Sequence, residues 1–157
     1  MDQSLTASVV VSRPPEEVYD LVSDVTRMGD WSPVCRSCWW DDGASAKVGD
    51  WFSGRNEHAD RTWETRSEIV VAERGREFAF VVGGRYTRWG YTFVPVDGGG
   101  TLVTESWQLL ADGLAMFGQL FEDPDAAIGE RAELARTGMP ATLATIKATA
   151  EGRPSAS

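Results

Sequence analysis

The residue with the clearest chemical potential in this sequence is Glu105. It alternates with Val103, Trp107 and Leu109, so a strand here would place its carboxyl group on an otherwise apolar face. A carboxylate facing a water-poor pocket has its charged form disfavoured, and it becomes a candidate proton donor or base near neutral pH. The alternative is an ion pair with an arginine, and we favour this structural role or a ligand-orienting role over catalysis. The candidate partners are Arg55, Arg85 and Arg88.

Two further side chains could take part in acid–base chemistry. His58 is the single histidine of the chain, and histidine has an unperturbed pKa in the physiological range. It stands beside the turn-like segment E-H-A-D-R, so we predict a solvated histidine in a loop or at a strand end. The Tyr91 hydroxyl could polarise a carbonyl, although a buried tyrosine more often makes one structural hydrogen bond, and we predict it as a cavity residue. The candidate catalytic residues are thus Glu105, His58 and Tyr91, and the sequence does not single out one of them.

Cys35 and Cys38 match the spacing C-x-x-C. In a redox motif such a pair opens a helix, but here it falls at the predicted start of a strand, where positions i and i+3 point to opposite faces. A disulfide between them would strain that strand. A zinc site would lack two ligands, because the chain has no other cysteine and a single histidine. We therefore predict no metal, and no motif predicts a cofactor.

The segments that would position these residues are mostly strands, separated by short turns that favour antiparallel pairing. They are predicted at 5–12, 35–41, 51–58, 62–73, 77–82, 86–96 and 101–110. A helix capped by Ser12, with Pro14 and Pro15 in its first turn, should follow the first strand.

The end of the chain is predicted to be helical. A short apolar helix spans 114–121, and a longer one spans about 126–150. The segment Gly138-Met139-Pro140 should kink the longer helix or mark its start. Its solvated face should carry Glu130, Arg131, Glu133 and Arg136.

Length and charge limit the functions to consider. The chain has 157 residues, and we expect a single domain over 1–152 with a loose tail at 153–157. The net charge of −9 argues against nucleic acid as a partner. We predict a cytoplasmic protein, because neither a secretory signal nor an apolar run of membrane-spanning length is visible. We expect it to be a monomer or a homodimer.

Seven tryptophans are many for this length, and the alternation of the predicted strands directs several aromatic side chains inward. Together with a few polar groups they have the composition of a small-molecule pocket. Trp31, in the G-D-W-S-P turn, should lie near its mouth and act as a gate. The predicted cavity residues are Trp31, Phe52, Asn56, Trp63, Thr65, Phe80, Trp89, Tyr91, Phe93, Glu105, Trp107, Met139 and Leu143.

Several motifs along the chain resemble one superfamily. They are a P-P-E-E-V helix leading to a D-W-S-P turn, then V-G-D-W-F-S-G-R-N-E, G-G-G-T-L-V-T-E-S-W and G-M-P-A-T-L-A-T-I-K-A-T-A-E. The order resembles the START-like (SRPBCC) superfamily of polyketide cyclases, lipid-transfer proteins and birch-pollen-type allergens, and in particular actinobacterial polyketide cyclase/dehydrase-like proteins. The resemblance implies an α+β helix-grip fold, in which a bent seven-stranded antiparallel sheet wraps a long C-terminal helix and leaves an apolar cavity. The same fold serves several activities.

Three hypotheses follow from the predicted cavity. The first, which we favour, is a carrier that encloses a hydrophobic small molecule such as a lipid or a polyketide-like aromatic. The second is a cofactor-free cyclase, dehydratase or aromatase that uses Glu105, His58 or Tyr91 for proton transfer. The third is a protein-interaction or toxin-like role, as in other members of the superfamily.

Overall fold

A computed structural model describes residues 3–43 and 45–152 of the chain. The predicted tail at 153–157 lies outside the described residues. Seven strands form one antiparallel sheet, as predicted. They are β1 (Ser4–Val11), β2 (Cys35–Trp40), β3 (Trp51–His58), β4 (Arg61–Glu73), β5 (Glu77–Val82), β6 (Thr87–Val96) and β7 (Gly100–Leu109). The helices are α1 (Pro15–Val22), α2 (Met28–Trp31), α3 (Ala111–Leu120) and α4 (Pro124–Ala150).

The sheet has the order β1-β7-β6-β5-β4-β3-β2, so β2 and β1 are its two edges. Strands β2 to β7 follow one another as neighbours, which agrees with the short turns in the sequence, and β1 closes the far edge beside β7. Together with the long C-terminal helix, this order gives the α+β helix-grip architecture that the sequence predicted. We call the face of the sheet that carries Val103, Glu105 and Trp107 the inner face.

The first helix begins later than the sequence predicted. Its N-cap is Pro14, which makes no side-chain cap, and Pro15 opens the helix. The prediction that Ser12 caps this helix is therefore wrong, because two residues separate it from the first turn. Instead, the Ser12 backbone N–H donates to the Glu151 carboxylate at 2.8 Å, and this bond ties the end of β1 to the end of α4.

The long helix α4 runs without interruption from Pro124 to Ala150, although Pro140 lies inside it. The alternative that the helix starts at Gly138-Met139-Pro140 is thus wrong. The start is fixed further upstream, where the Asp123 side chain accepts a hydrogen bond from Ala126 N at 3.1 Å. At the other end, Lys147 Nζ donates to the Val10 carbonyl at 2.6 Å.

One buried cluster lies between the sheet, α1 and α4, and a second cluster joins β7 to α3 and α4. Helix α1 inserts Val18, Tyr19 and Val22 into the first cluster, and the Tyr19 ring meets the Phe93 ring edge-on at 5.5 Å. Leu143 of α4 is buried in the same cluster. Since α1 covers only this part of the sheet, part of the inner face is left for a cavity.

Candidate functional site

A cavity of about 370 Å³ lies between the inner face and helices α2, α3 and α4. This volume is within the range of pockets that enclose small molecules. Its wall is mainly aromatic and aliphatic, with a few polar groups. The predicted cavity residues that line it are Trp31, Phe52, Asn56, Trp63, Thr65, Phe80, Trp89, Tyr91, Glu105, Trp107 and Met139.

Three predicted site residues do not line the cavity. Phe93 and Leu143 are buried away from the cavity, and Tyr19 of α1 packs against the Phe93 ring. His58 is the last residue of β3, opposite Arg61 in the hairpin register, and is half-buried there. The structure thus brings together Glu105 and Tyr91 but leaves His58 at a strand end.

Glu105 lies near the middle of β7 on the inner face and is 3% exposed. It stands opposite Tyr91 across the β6–β7 ladder, and the Tyr91 hydroxyl donates to Glu105 Oε2 at 3.0 Å. The predicted ion pair with an arginine is wrong for all three candidates. Arg88 pairs with Glu77 and Arg85 pairs with Asp112, while Arg55 is exposed on the opposite side of β3.

The other carboxylate oxygen of Glu105 has no protein partner. Among the described residues, Oε1 of Glu105 is the one buried side-chain oxygen or nitrogen atom without a hydrogen bond. Burial raises the pKa of Glu105 to about 8, and the hydrogen bond from Tyr91 offsets part of that effect. Burial, followed by the neighbouring Glu105, raises the pKa of Tyr91 well above its usual 10. At neutral pH the pair is therefore mostly uncharged.

Arg131 of α4 is a cavity residue that the sequence did not reveal. Helical periodicity predicted it on the solvated face, but its side chain turns to the wall of the cavity. The guanidinium lies 5.6 Å from the Trp63 ring centre and 5.9 Å from that of Phe117. Among the described residues no carboxylate forms an ion pair with it. Burial and the nearby Arg61 lower its pKa, although an arginine keeps its charge.

Cys35 and Cys38 also line the cavity. The prediction that they point to opposite faces is wrong, because β2 has a register shift after Cys35. Cys35 stands opposite Asn56 and Cys38 opposite Gly54, so both cysteines share the inner face with these partners. Their sulfur atoms lie 2.9 Å apart, and both residues are buried.

Comparisons with known proteins identify the family. The model of the family described as "Polyketide cyclase / dehydrase and lipid transport" matches residues 2–151. The chain belongs to this family. The Polyketide_cyc-like protein Cgl2372 from Corynebacterium glutamicum is 42% identical, with a TM-score of 0.70 over 96% of this chain and 93% of that chain. No functionally curated protein matches significantly.

Two more distant structures share the fold. The Zhui aromatase/cyclase from Streptomyces sp. R1128 is 17% identical, with a TM-score of 0.70 over 94% of this chain and 93% of that chain. The di-domain ARO/CYC StfQ from the steffimycin biosynthetic pathway is 14% identical, with a TM-score of 0.71 over 96% of this chain and 51% of that chain. The family match and the 42% identical relative confirm the sequence-based assignment to polyketide cyclase-like SRPBCC proteins.

In this member of the polyketide cyclase/dehydrase and lipid transport family, α3 covers part of the cavity through Met116 and Phe117. The sequence predicted the helix but not its neighbour, since an apolar face alone does not say what it packs against. Gly113 permits the close approach of α3 to the sheet, because a Cβ there would lie 2.4 Å from the Tyr86 carbonyl oxygen.

Among residues 3–43 and 45–152, no group of three or more histidine, cysteine or acidic side chains is placed to hold a metal ion. Within the same residues, no helix is both long and apolar enough to cross a bilayer.

Proposed function

We propose that this protein encloses a hydrophobic small molecule, a polyketide-like aromatic or a lipid, that carries at least one polar oxygen. The observation that supports this proposal best is the unpaired Oε1 of Glu105 in a largely apolar cavity wall. A buried polar atom without a partner costs about 1–3 kcal/mol. A carbonyl or hydroxyl group of a bound ligand would supply that partner and recover part of the cost.

The protonation of Glu105 decides which ligand group fits. Tyr91 already donates to Oε2, so a neutral carboxyl group is expected to carry its own hydrogen on Oε1. In that state the group is a donor, and it favours a ligand carbonyl oxygen as acceptor. A ligand carboxylate at this position is disfavoured, because it would be buried without a cation beside it.

Arg131 provides a second, charged orienting group in the wall. Its guanidinium rests on Trp63 and Phe117 and has no carboxylate partner among the described residues. A phenolate or carboxylate of a ligand could pair with it while the apolar part of the molecule contacts the aromatic wall. The cavity is therefore suited to an aromatic or aliphatic molecule that carries both a carbonyl and an acidic group.

The test is a binding titration by intrinsic tryptophan fluorescence, with native mass spectrometry of the same samples. Anthraquinones, naphthols, fatty acids and sterols would be compared at pH 6.5, where Glu105 is protonated. We expect at least one class to bind in a one-to-one ratio, and E105L to bind the carbonyl-bearing members about tenfold more weakly, as expected for one lost hydrogen bond.

E64Q serves as the matched control, because Glu64 is exposed on the outer side of β4. It should bind like the wild type. If no ligand class changed the fluorescence or the native mass, the proposal would be wrong. Equal affinities of the wild type and E105L would remove Glu105 from it.

A second candidate is a cofactor-free cyclase, dehydratase or aromatase. The observation that favours it is the hydrogen-bonded Glu105–Tyr91 pair, whose carboxyl pKa of about 8 suits proton transfer near neutral pH. E105Q keeps a donor but cannot transfer a proton. With a reactive polyketone substrate, loss of turnover in E105Q at unchanged affinity would favour catalysis, whereas unchanged turnover would exclude Glu105 as its acid or base.

A further inference from the structure

The sulfur atoms of Cys35 and Cys38 lie close together in the cavity wall. The proposed ligand binding does not use this pair. Their Sγ atoms are 2.9 Å apart, whereas a disulfide bond measures about 2.05 Å, so a small movement would join them. Cys35 is 4% and Cys38 is 8% exposed. Small molecules therefore have to reach the sulfur atoms through the cavity that both residues line.

The local structure holds the pair in this arrangement. The register shift after Cys35 turns both side chains to the inner face. Gly54 faces Cys38 across the ladder, and a Cβ at that position would come within 3.1 Å of the Cys38 sulfur. The Met28 thioether of α2 lies 3.8 Å from the same atom. The glycine leaves room that the sulfur fills, and α2 packs over the pair.

The two thiols also differ in acidity. The hydrogen bond between them lowers the pKa of Cys35. The same hydrogen bond and burial both raise the pKa of Cys38. Cys35 is thus the first to become a thiolate, which is the nucleophilic form of cysteine. A second thiol in direct contact is the arrangement that resolves an oxidised cysteine into a disulfide.

We propose that Cys35 and Cys38 form a redox-active dithiol that reduces apolar organic hydroperoxides entering the cavity and is itself oxidised to an intramolecular disulfide. This reaction goes beyond ligand binding. The cavity and the short distance between the sulfur atoms support it, and the lowered pKa of Cys35 indicates which sulfur attacks. An apolar hydroperoxide is the favoured oxidant, because the wall is mainly aromatic and aliphatic. A large charged disulfide such as oxidised glutathione would have to lose its hydration shell to enter.

The reaction proceeds in two balanced steps. The Cys35 thiolate attacks the terminal oxygen of the hydroperoxide, an S–O bond forms and the O–O bond breaks. The alkoxide leaves as an alcohol after taking up the proton that Cys35 lost, and Cys35 becomes a sulfenic acid. The Cys38 sulfur then attacks the Cys35 sulfur, the S–S bond forms, and the hydroxide leaves as water with the Cys38 proton. The two thiols lose two electrons, and the peroxide gains them.

The test uses the full chain reduced with dithiothreitol and then freed of it. Cumene hydroperoxide, hydrogen peroxide and oxidised glutathione would be compared at equal concentrations. Alkylation under denaturing conditions followed by mass spectrometry counts the free thiols. We expect cumene hydroperoxide to remove both thiols, with a mass loss of about 2 Da for the bond, no covalent dimer, and full reversal by dithiothreitol. The rate should exceed those of the other two oxidants at least tenfold.

Two variants separate the roles of the sulfurs, with far-UV circular dichroism as the check on folding. C35S should consume no peroxide. C38S should react once and accumulate a sulfenic acid that dimedone captures. As a third variant, G54A should slow disulfide formation, because its methyl group would press on the Cys38 sulfur.

Four results would overturn the proposal. They are thiols that stay free, equal rates for cumene hydroperoxide and hydrogen peroxide, peroxide consumption that survives in C35S, and oxidation that stops at sulfinic acid in the wild type. Ligand binding and thiol oxidation are separate measurements on the same wild-type protein, so the two proposals can fail independently. If the wild type binds cavity ligands while its dithiol is inert to peroxide, only the redox inference fails.

Discussion

Replacing Glu105 with glutamine should change how the stability of the protein depends on pH. Burial raises the pKa of Glu105 from the ordinary 4.5 to about 8 in the folded state. Between these pH values the unfolded chain ionises while the folded chain keeps the proton, so unfolding releases a proton. The free energy of unfolding therefore falls as the pH rises through this window, and it levels off above pH 8.

The size of the effect follows from the two pKa values. Each pH unit inside the window costs about 1.4 kcal/mol, so the wild type should lose about 5 kcal/mol between pH 4.5 and 8. This is a large part of the 5–15 kcal/mol that stabilises an ordinary domain. Glutamine has nearly the same shape and no charge to bury. E105Q should match the wild type within about 1 kcal/mol at pH 5 and exceed it by about 5 kcal/mol at pH 9.

Urea denaturation followed by circular dichroism at pH 5, 6, 7, 8 and 9 measures the difference. Groups such as Asp20, whose pKa Arg74 lowers, titrate below this window and cancel between the two proteins. E64Q, which removes an exposed carboxyl group of β4, is the control for the loss of one acidic side chain. A difference between E105Q and the wild type that stayed constant within 1 kcal/mol across the series would refute the assignment of a buried, neutral Glu105.

Three further predictions concern the cavity wall and its covers. R131L should bind acidic aromatic ligands about tenfold more weakly and neutral analogues unchanged, as isothermal titration calorimetry would show; equal losses for both would argue against an ionic role. G113A should lower the free energy of unfolding by about 2 kcal/mol or more, because its Cβ meets the Tyr86 carbonyl oxygen at 2.4 Å. The matched G118A, with nothing within 4 Å of its Cβ, should raise it by about 0.5–1 kcal/mol in the same urea series. W31A should accelerate ligand release in stopped-flow fluorescence if Trp31 acts as a gate, and unchanged on- and off-rates would exclude that role.

The sequence predicted the inner face wherever the ladder is regular. On β7 the alternation of Val103, Glu105, Trp107 and Leu109 persists through an unbroken register with both neighbours, and all four residues are buried. A carboxyl group on an apolar face could therefore be identified from spacing alone. Its hydrogen-bond partner could not, because the cross-strand register depends on the turn and not on either strand.

The prediction of side-chain faces from alternation failed where the backbone departs from a regular strand or where the neighbours of an element were unknown. The register shift in β2 adds one residue after Cys35, and a shift of one residue moves every later side chain to the other face. No residue type near Cys35 signals that shift. Arg131 was missed for a related reason, since helical periodicity identifies the wet face only when the neighbours of the helix are known, and the cavity left space for a long charged side chain.

The division between core and cavity was also beyond the sequence. Phe93 and Tyr91 are two residues apart on the same face of β6, yet only Tyr91 lines the cavity. The difference is made by Tyr19 of α1, whose ring packs against Phe93. Alternation says which way a side chain points, whereas the element above it decides whether it meets another side chain or open space.

The polar groups of the cavity wall are not equally available to a ligand, and this difference strengthens the case for Glu105. Asn56 is a predicted cavity residue that does line the wall, but its amide donates to Thr65 Oγ1 at 3.2 Å and to the Trp63 carbonyl at 3.4 Å. A ligand that accepted from the Asn56 amide would have to break those bonds, and replacing one hydrogen bond with another would add little binding free energy. Glu105 Oε1 has no bond to give up. A hydrogen bond between the ligand and the cavity wall therefore contributes most at Glu105, and replacing Asn56 should alter affinity less than replacing Glu105.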